Sequence, residues 1–314
     1  QLNDNQMRLL SAFAPDPERS RLSGNLKGVM QLKGTSANPE LTGSLAIENG
    51  GFTHPDLSTP LTGLNLLANF ERLPAAQAEQ TPALLALGAP VVGRITLDRL
   101  EGNLGGQAFQ GKGKAEAVGR KATFMEFAFD GQDLPIRWSG FMDGRANVHL
   151  TLTGKEKEGE TGLTPFLSGR IELPQANLTV PDEESMAGLM SLARGRANRR
   201  AFDYDVDLSL GNDVFGNYMG SSIRGQGDLK ITPSLVQSRP SVNGVLFLSR
   251  GVIRVPIYGI NFRVRQGYAY FEDDFIPRLD NLEADSTIGT YQITARFDGK
   301  YPNVHADLYA NPPL

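Results

Sequence analysis

Five stretches of the chain place apolar and polar residues in strict alternation, and that period limits what the backbone can do. Val148, Leu150 and Leu152 alternate with Asn147, His149, Thr151 and Thr153. Tyr204, Val206, Leu208 and Leu210 alternate with Asp203, Asp205, Asp207 and Ser209. The pattern returns as Ile260, Phe262 and Val264 against Asn261, Arg263 and Arg265, and as Tyr291, Ile293, Ala295 and Phe297 against Gln292, Thr294, Arg296 and Asp298. Val304, Ala306 and Leu308 then alternate with His305, Asp307 and Tyr309. Side chains of a strand point to opposite faces every second residue, so each stretch reads as a strand with one apolar and one wet face. Because such runs, punctuated by Gly, Pro or Asn, extend through most of the chain, the expected class is all-β.

The composition removes several other classes. With no Cys among 314 residues, no disulfide framework exists, and 35 Gly with 19 Pro demand frequent turns. A balance of 31 basic against 35 acidic residues gives a net charge of −4, which lacks the basic footprint of a nucleic-acid binder. No window reaches the ~18 apolar residues of a membrane helix. The chain starts at Gln1 without a signal-peptide pattern and reads as a piece of a longer protein whose targeting signals precede it.

Helical spacing is confined to few places. Acidic Asp182, Glu183 and Glu184 precede Met186, Leu189, Met190 and Ala193, and Arg194, Arg196, Arg199 and Arg200 crowd the end, which predicts a helix over 182–200. It is expected to sit on an anionic membrane surface, plug a groove or cover a sheet edge. Residues 3–14 form a second candidate within a helical or linker segment 1–20, and 74–90 reads as a short helix broken at Pro82 or as a loop.

Three segments share a layout that organises the rest. In each, a Pro stands four residues before a Gly that heads an apolar strand: Pro39 and Gly43, Pro165 and Gly169, Pro240 and Gly244. The recurrence predicts a shared backbone role that only Gly fills, with positive φ or close backbone approach. The units start at uneven intervals, so a long meandering sheet is expected rather than a fixed-period solenoid.

Residues 222–314 carry a resemblance. Pro240-Ser-Val-Asn-Gly244-Val-Leu-Phe-Leu-Ser-Arg-Gly251-Val-Ile-Arg-Val-Pro256 is followed by Gly259-Ile-Asn-Phe262, Gly267-Tyr-Ala-Tyr270-Phe and Pro277-Arg-Leu-Asp-Asn-Leu-Glu-Ala284. Tyr291-Gln-Ile-Thr-Ala-Arg-Phe-Asp-Gly299 and a terminal Asn311-Pro-Pro-Leu314 close the run. This resembles the C-terminal part of the TamB family of AsmA-like, bridge-type lipid-transfer proteins. The resemblance implies an elongated sheet curled into a U, a β-taco, over 21–314, with a hydrophobic inner groove and one or two short helices. It further implies a place in the periplasm or cell envelope between inner and outer membranes, an inner-membrane anchor in a missing N-terminal part, and phospholipid as transported ligand. An Omp85-class outer-membrane partner of the TamA or BamA type, and a role in outer-membrane protein assembly, are implied as well.

The apolar strip on each strand must be buried against a second sheet, a helix or a lipid chain, and the residues alone leave all three open. The groove reading assigns Leu45, Ile47, Val148, Leu150, Leu152, Ile171 and Leu173 to the lining, with Val206, Leu208, Leu229, Ile231, Val245 and Phe247 after them. Ile253, Val255, Ile257, Ile260, Phe262 and Val264 continue it to Ile293, Phe297, Val304 and Leu308. About 20 strands of ~8 residues at ~4.8 Å spacing would make a trough on the order of 90 Å long. The competing expectation is a structural envelope or adhesin-like β protein making only protein contacts.

Catalytic and cofactor signals are thin, and the reading is of a non-enzyme without cofactor or metal. His54, His149 and His305 lie far apart in sequence, and no nucleophile elbow, P-loop or zinc motif occurs. Glu272, Asp273 and Asp274 are read as a solvated turn in preference to a Ca²⁺ site. The final strands, 291–297 and 304–310, carry only Lys300 and Pro302 in their turn, a thin defence against further strand pairing.

Overall fold

The computed structural model describes residues 21–34, 39–53, 59–74, 77, 91–118, 121–138, 142–156, 163–179, 203–218, 220–233, 240–255, 259–274, 276–300 and 303–313. Among these, fifteen strands and no α-helix occur. The first eight are β1 (Arg21–Gly34), β2 (Pro39–Thr53), β3 (Leu61–Pro74), β4 (Val91–Leu104), β5 (Gln107–Val118), β6 (Lys121–Trp138), β7 (Met142–Glu156) and β8 (Leu163–Thr179). The rest are β9 (Asp203–Tyr218), β10 (Ser221–Pro233), β11 (Pro240–Val255), β12 (Ile260–Glu272), β13 (Arg278–Ile288), β14 (Tyr291–Lys300) and β15 (Asn303–Asn311). Hydrogen bonding orders them in chain sequence, β1 to β15, as one meander. The all-β class is therefore the observed one. The helices expected over 3–14 and 182–200 lie outside the described residues, as does most of 74–90.

The backbone divides into two units. The first comprises Gln1–Pro135, Asn147–Gly169 and Ala201–Asp203, and the second Ile136–Ala146, Arg170–Arg200 and Tyr204–Leu314. In the first, β1 to β6 pair antiparallel with their chain neighbours. In the second, β9 to β15 do the same.

The strands are longer than the sequence reading expects, running from 9 residues in β15 to 18 in β6. Gly and Pro were expected to end strands, yet the repeat glycines lie inside them. Gly43, Gly169 and Gly244 all take positive φ, at 128°, 134° and 143°, as the repeat requires. A Cβ on Gly43 would overlap the carbonyl oxygen of Val29, one on Gly169 that of His149, and one on Gly244 that of Asp228. Each glycine thus lets a neighbouring strand approach closely while the strand itself continues, and Pro39 and Pro240 begin β2 and β11.

Bulges do the remaining bending. The pairing of β10 with β11 shifts by one residue between Ile223 and Arg224, where Arg250 has φ 54°. The ladder between β12 and β13 shifts on either side of Gln266. An extra residue reverses which parity of a strand faces which side. In β12, Phe262 and Val264 are buried on even numbers, and Gly267 and Ala269 on odd ones.

Candidate functional site in the apolar face

In the first unit, the apolar stripe can be followed pair by pair. Leu26 stands opposite Ile47 and Gly28 opposite Leu45. Leu45 then faces Ala68, and Ile47 faces Leu66. Ala68 meets Leu97, and Leu66 meets Leu100. Leu97 pairs with Gly113 and Leu100 with Gly111, and these glycines face Phe127 and Phe129. The phenyl ring of Phe129 stacks on Phe109 with centroids 5.5 Å apart. Small residues on β5 so make room for large ones on β6. On β7, Val148 is 6% exposed and shares its face with half-buried Leu150 and Leu152.

The second unit repeats the arrangement. On β8, Leu173 is buried and Ile171 half-buried. Val206 and Leu208 pair with Ile231 and Leu229, which face Val242 and Gly244 in turn. Ile253 lies opposite Phe262 and Val255 opposite Ile260. Val264 meets Ala284, Ala284 meets Ala295, and Leu282 meets Phe297. Phe262 packs edge-on against Phe297 at 6.4 Å. The stripe continues onto β15, where Ala310, Leu308, Ala306 and Val304 face Ile293, Ala295, Phe297 and Gly299.

Accessibility varies along this stripe. Leu282, Ala284 and Ala295 are buried, at 1%, 0% and 0% exposure, whereas Leu308 is 65% exposed on β15. Leu45, Ile47, Leu208, Ile231, Ile293 and Phe297 are half-buried, each with apolar surface left to cover.

Two assignments are corrected. Val245 and Phe247 do not share this face: their neighbours Leu246 and Leu248 are buried, paired with Gly227 and Gly225. Val245 and Phe247 point the other way, opposite Asp228 and Gln226. Four consecutive apolar residues carry no alternation, so only the register could choose between the parities. Ile257 lies outside the described residues. The reading also missed Leu97, Leu100, Phe127 and Phe129. The signal for them was the spacing of Gly111 and Gly113, which marks a face where a neighbour needs room.

The other face is polar and carries most of the ionic contacts. Arg94 donates to Glu116 from Nε at 2.8 Å and Nη2 at 2.6 Å, and Glu116 is 1% exposed. His149 and His305 are both exposed, 2.8 Å from Asp130 and 3.0 Å from Asp307. His54 lies outside the described residues. No group of three His, Asp or Glu among the described residues could hold a metal ion. The turn at Glu272–Asp274 is tied down rather than merely solvated. Asp273 accepts from Ser241 Oγ at 2.6 Å and Asn243 Nδ2 at 2.8 Å, and these hydrogen bonds hold its carboxyl below the ordinary value. Asp274 meets Lys300 at 3.0 Å.

The apolar stripe of each unit offers a ligand a nonpolar surface. No curated protein matches the chain. A family model described as the TamB C-terminal domain matches residues 98–314, extending well ahead of the motifs at 222–314. Through that domain, the chain belongs to the TamB family.

Proposed function

We propose that this chain is a periplasmic segment of an envelope-spanning bridge that holds phospholipid acyl chains along its apolar face and conducts them between inner and outer membranes. Membership of the TamB family supports a role in building the cell envelope. The observation that carries the finer reading is continuity. Strand after strand within each unit, apolar residues stand in register on one face, and half-buried side chains such as Leu45, Ile47, Ile231 and Ile293 retain surface that an acyl chain would cover. Each methylene so covered contributes about 0.8 kcal/mol. In this reading the sheet curls so that the face lines a groove, and no cofactor or catalysis is involved. Native mass spectrometry of gently purified protein tests it: adducts with phospholipid masses are expected, and their absence counts against it.

The same reading includes help to outer-membrane protein assembly through an Omp85-class partner that adds a strand to β15. That strand is the last in the order, and its side chains from Asn303 to Tyr309 are all exposed. Because the chain has no Cys, Asn303→Cys and Tyr309→Cys give clean single-site cross-linkers. Recovery of an outer-membrane protein supports the partner, and recovery of self-dimers alone sinks it while leaving the groove untouched.

A second reading, a β protein making only protein contacts, draws on one feature of the polar face. Val245, Phe247 and Tyr268 are 39%, 37% and 42% exposed, Phe247 lies 5.6 Å from Tyr268, and Arg278 sits 4.8 Å over the ring of Tyr270. Aromatic residues and Arg are enriched where proteins meet.

A further inference from the structure

A cleft of about 730 Å³ opens on the polar face of the second unit, between the ends of β12, β13 and β14. That volume falls in the range of small-molecule sites, roughly 300–1,000 Å³. Arg263 and Arg265 line it, with Asn261 and Gln292 adding amide groups. Both arginines flank Val264, which is 5% exposed on the apolar face, so alternation directs the two guanidinium groups to the same, opposite side.

The cleft's one carboxylate is already engaged. Asp285 accepts from Thr294 Oγ1 at 2.8 Å on one oxygen, and its other oxygen lies 3.3 Å from Arg265 Nε. Arg263 stands directly across from Asp285 in the ladder and lines the cleft beside Arg265. Two guanidinium groups against one occupied carboxylate leave a net positive, donor-rich concavity. Guanidinium groups match the geometry of tetrahedral oxyanions through paired N–H donors, and such charge-assisted bonds are about twice as strong as neutral ones.

We propose that this cleft is a binding site for a phosphoryl group carried on a small polar body, the arginines meeting the phosphoryl oxygens and Asn261 and Gln292 the polar body. The inference does not rest on the groove reading, because acyl chains lying against Phe262, Val264 and Ala284 would be on the other side of the sheet. The phosphoryl group could reach the cleft on a soluble metabolite or on the headgroup of a membrane, and the two sources are separable.

Line broadening of glycerol 3-phosphate in phosphorus NMR reads the soluble source. Flotation with phosphatidylcholine vesicles, with and without phosphatidylglycerol, reads the membrane source. The decisive variant is Arg263→Gln, which leaves the Arg265 contact to Asp285 in place, and the control is Arg170→Gln on the polar side of β8. Binding in either assay that weakens about tenfold in Arg263→Gln and holds in Arg170→Gln is the expected result, and the responding assay names the source. Binding that survives Arg263→Gln, that falls equally in Arg170→Gln, or that is absent from both assays overturns the proposal. Circular dichroism of both variants must match the parent. If Arg263→Gln fails to fold, Arg263→Lys takes its place, since it keeps the charge and loses the paired donors, and it is expected to weaken binding in the same assay.

Discussion

The backbone N–H of Asp133, held at φ 52°, donates to Oδ1 of Asn147 on the next strand at 2.9 Å. The same device recurs at three other non-glycine residues of positive φ. Asn49 N–H donates to Asn65 Oδ1 at 3.1 Å, Asp273 N–H to Asn243 Oδ1 at 3.1 Å, and Asn281 N–H to Asp298 Oδ1 at 2.8 Å. A left-handed residue breaks the ladder locally, and a side-chain oxygen from the neighbouring strand replaces the missing acceptor. Asn147→Ala should therefore cost about 1–2 kcal/mol in denaturant unfolding, with Asn147→Asp close to neutral because it keeps the acceptor. Equal costs for the two variants would assign the effect to packing instead.

The repeat glycines give a second expectation. Gly244→Ala must leave a conformation that L-residues rarely adopt and must also push away the carbonyl of Asp228, so a loss of at least about 1–3 kcal/mol is expected. At Gly93, where φ is ordinary and the nearest atom to a Cβ is 3.8 Å away, Ala should be tolerated. Thermal midpoints of the two variants check this, and similar midpoints would remove the physical basis of the repeat.

Burial separates two ion pairs of similar length. Glu116 is buried and accepts from two nitrogens of Arg94, while the Lys27 and Glu48 pair at 2.6 Å is 56% and 45% exposed. Glu116→Ala should destabilise by about 1.5–3 kcal/mol, because Arg94 loses its buried acceptor and keeps only the Gln77 carbonyl and the longer contact to Glu71. Glu48→Ala should cost no more than about 1 kcal/mol. Chemical denaturation of both variants reads the difference.

A pH dependence follows from the turn after β12. Hydrogen bonds from Ser241 and then Asn243 hold the Asp273 carboxyl below its ordinary 3.8. A lowered carboxyl stabilises the folded form above the ordinary value and loses that contribution as pH falls through the lowered one. Amide exchange at the ends of β11 and β12 should therefore quicken as pH is taken below about 3.8, after correction for intrinsic rates, and Asp273→Ala should abolish the step. A step that persists in the variant would place its origin at another carboxyl.

The alternating runs in β7, β9, β12, β14 and β15 were legible because one wet face and one dry face write a period of two into the sequence. Run Val245–Leu248 was not, since it is apolar on both parities, and neither was the far half of β12. There a continued period from Phe262 and Val264 would turn Tyr268 and Tyr270 inward, but the bulge around Gln266 turns Ala269 inward and leaves Tyr268 exposed. Bulges depend on partners such as Asn65 and Asp298 that lie on another strand, so no local window contains them. The strand lengths were underestimated for a related reason. Glycines like Gly43 look like strand ends locally, and only the neighbour's carbonyl shows that they are crossing points.

Adjacent residues on β15 offer the most direct measurement of the central claim. Leu308 faces buried Ala295 on the apolar side, Tyr309 faces Thr294 on the polar side, and they are 65% and 57% exposed, so neither replacement disturbs a packed core. Phospholipid bound per chain should be measured by native mass spectrometry for Leu308→Asp, Tyr309→Asp and the unaltered protein, with Ile293→Arg as a second variant on the apolar side. The account predicts less lipid in folded Leu308→Asp and Ile293→Arg, and an unchanged amount in Tyr309→Asp. Lipid that is equal in all the proteins, or that falls only when Tyr309 is replaced, would contradict it.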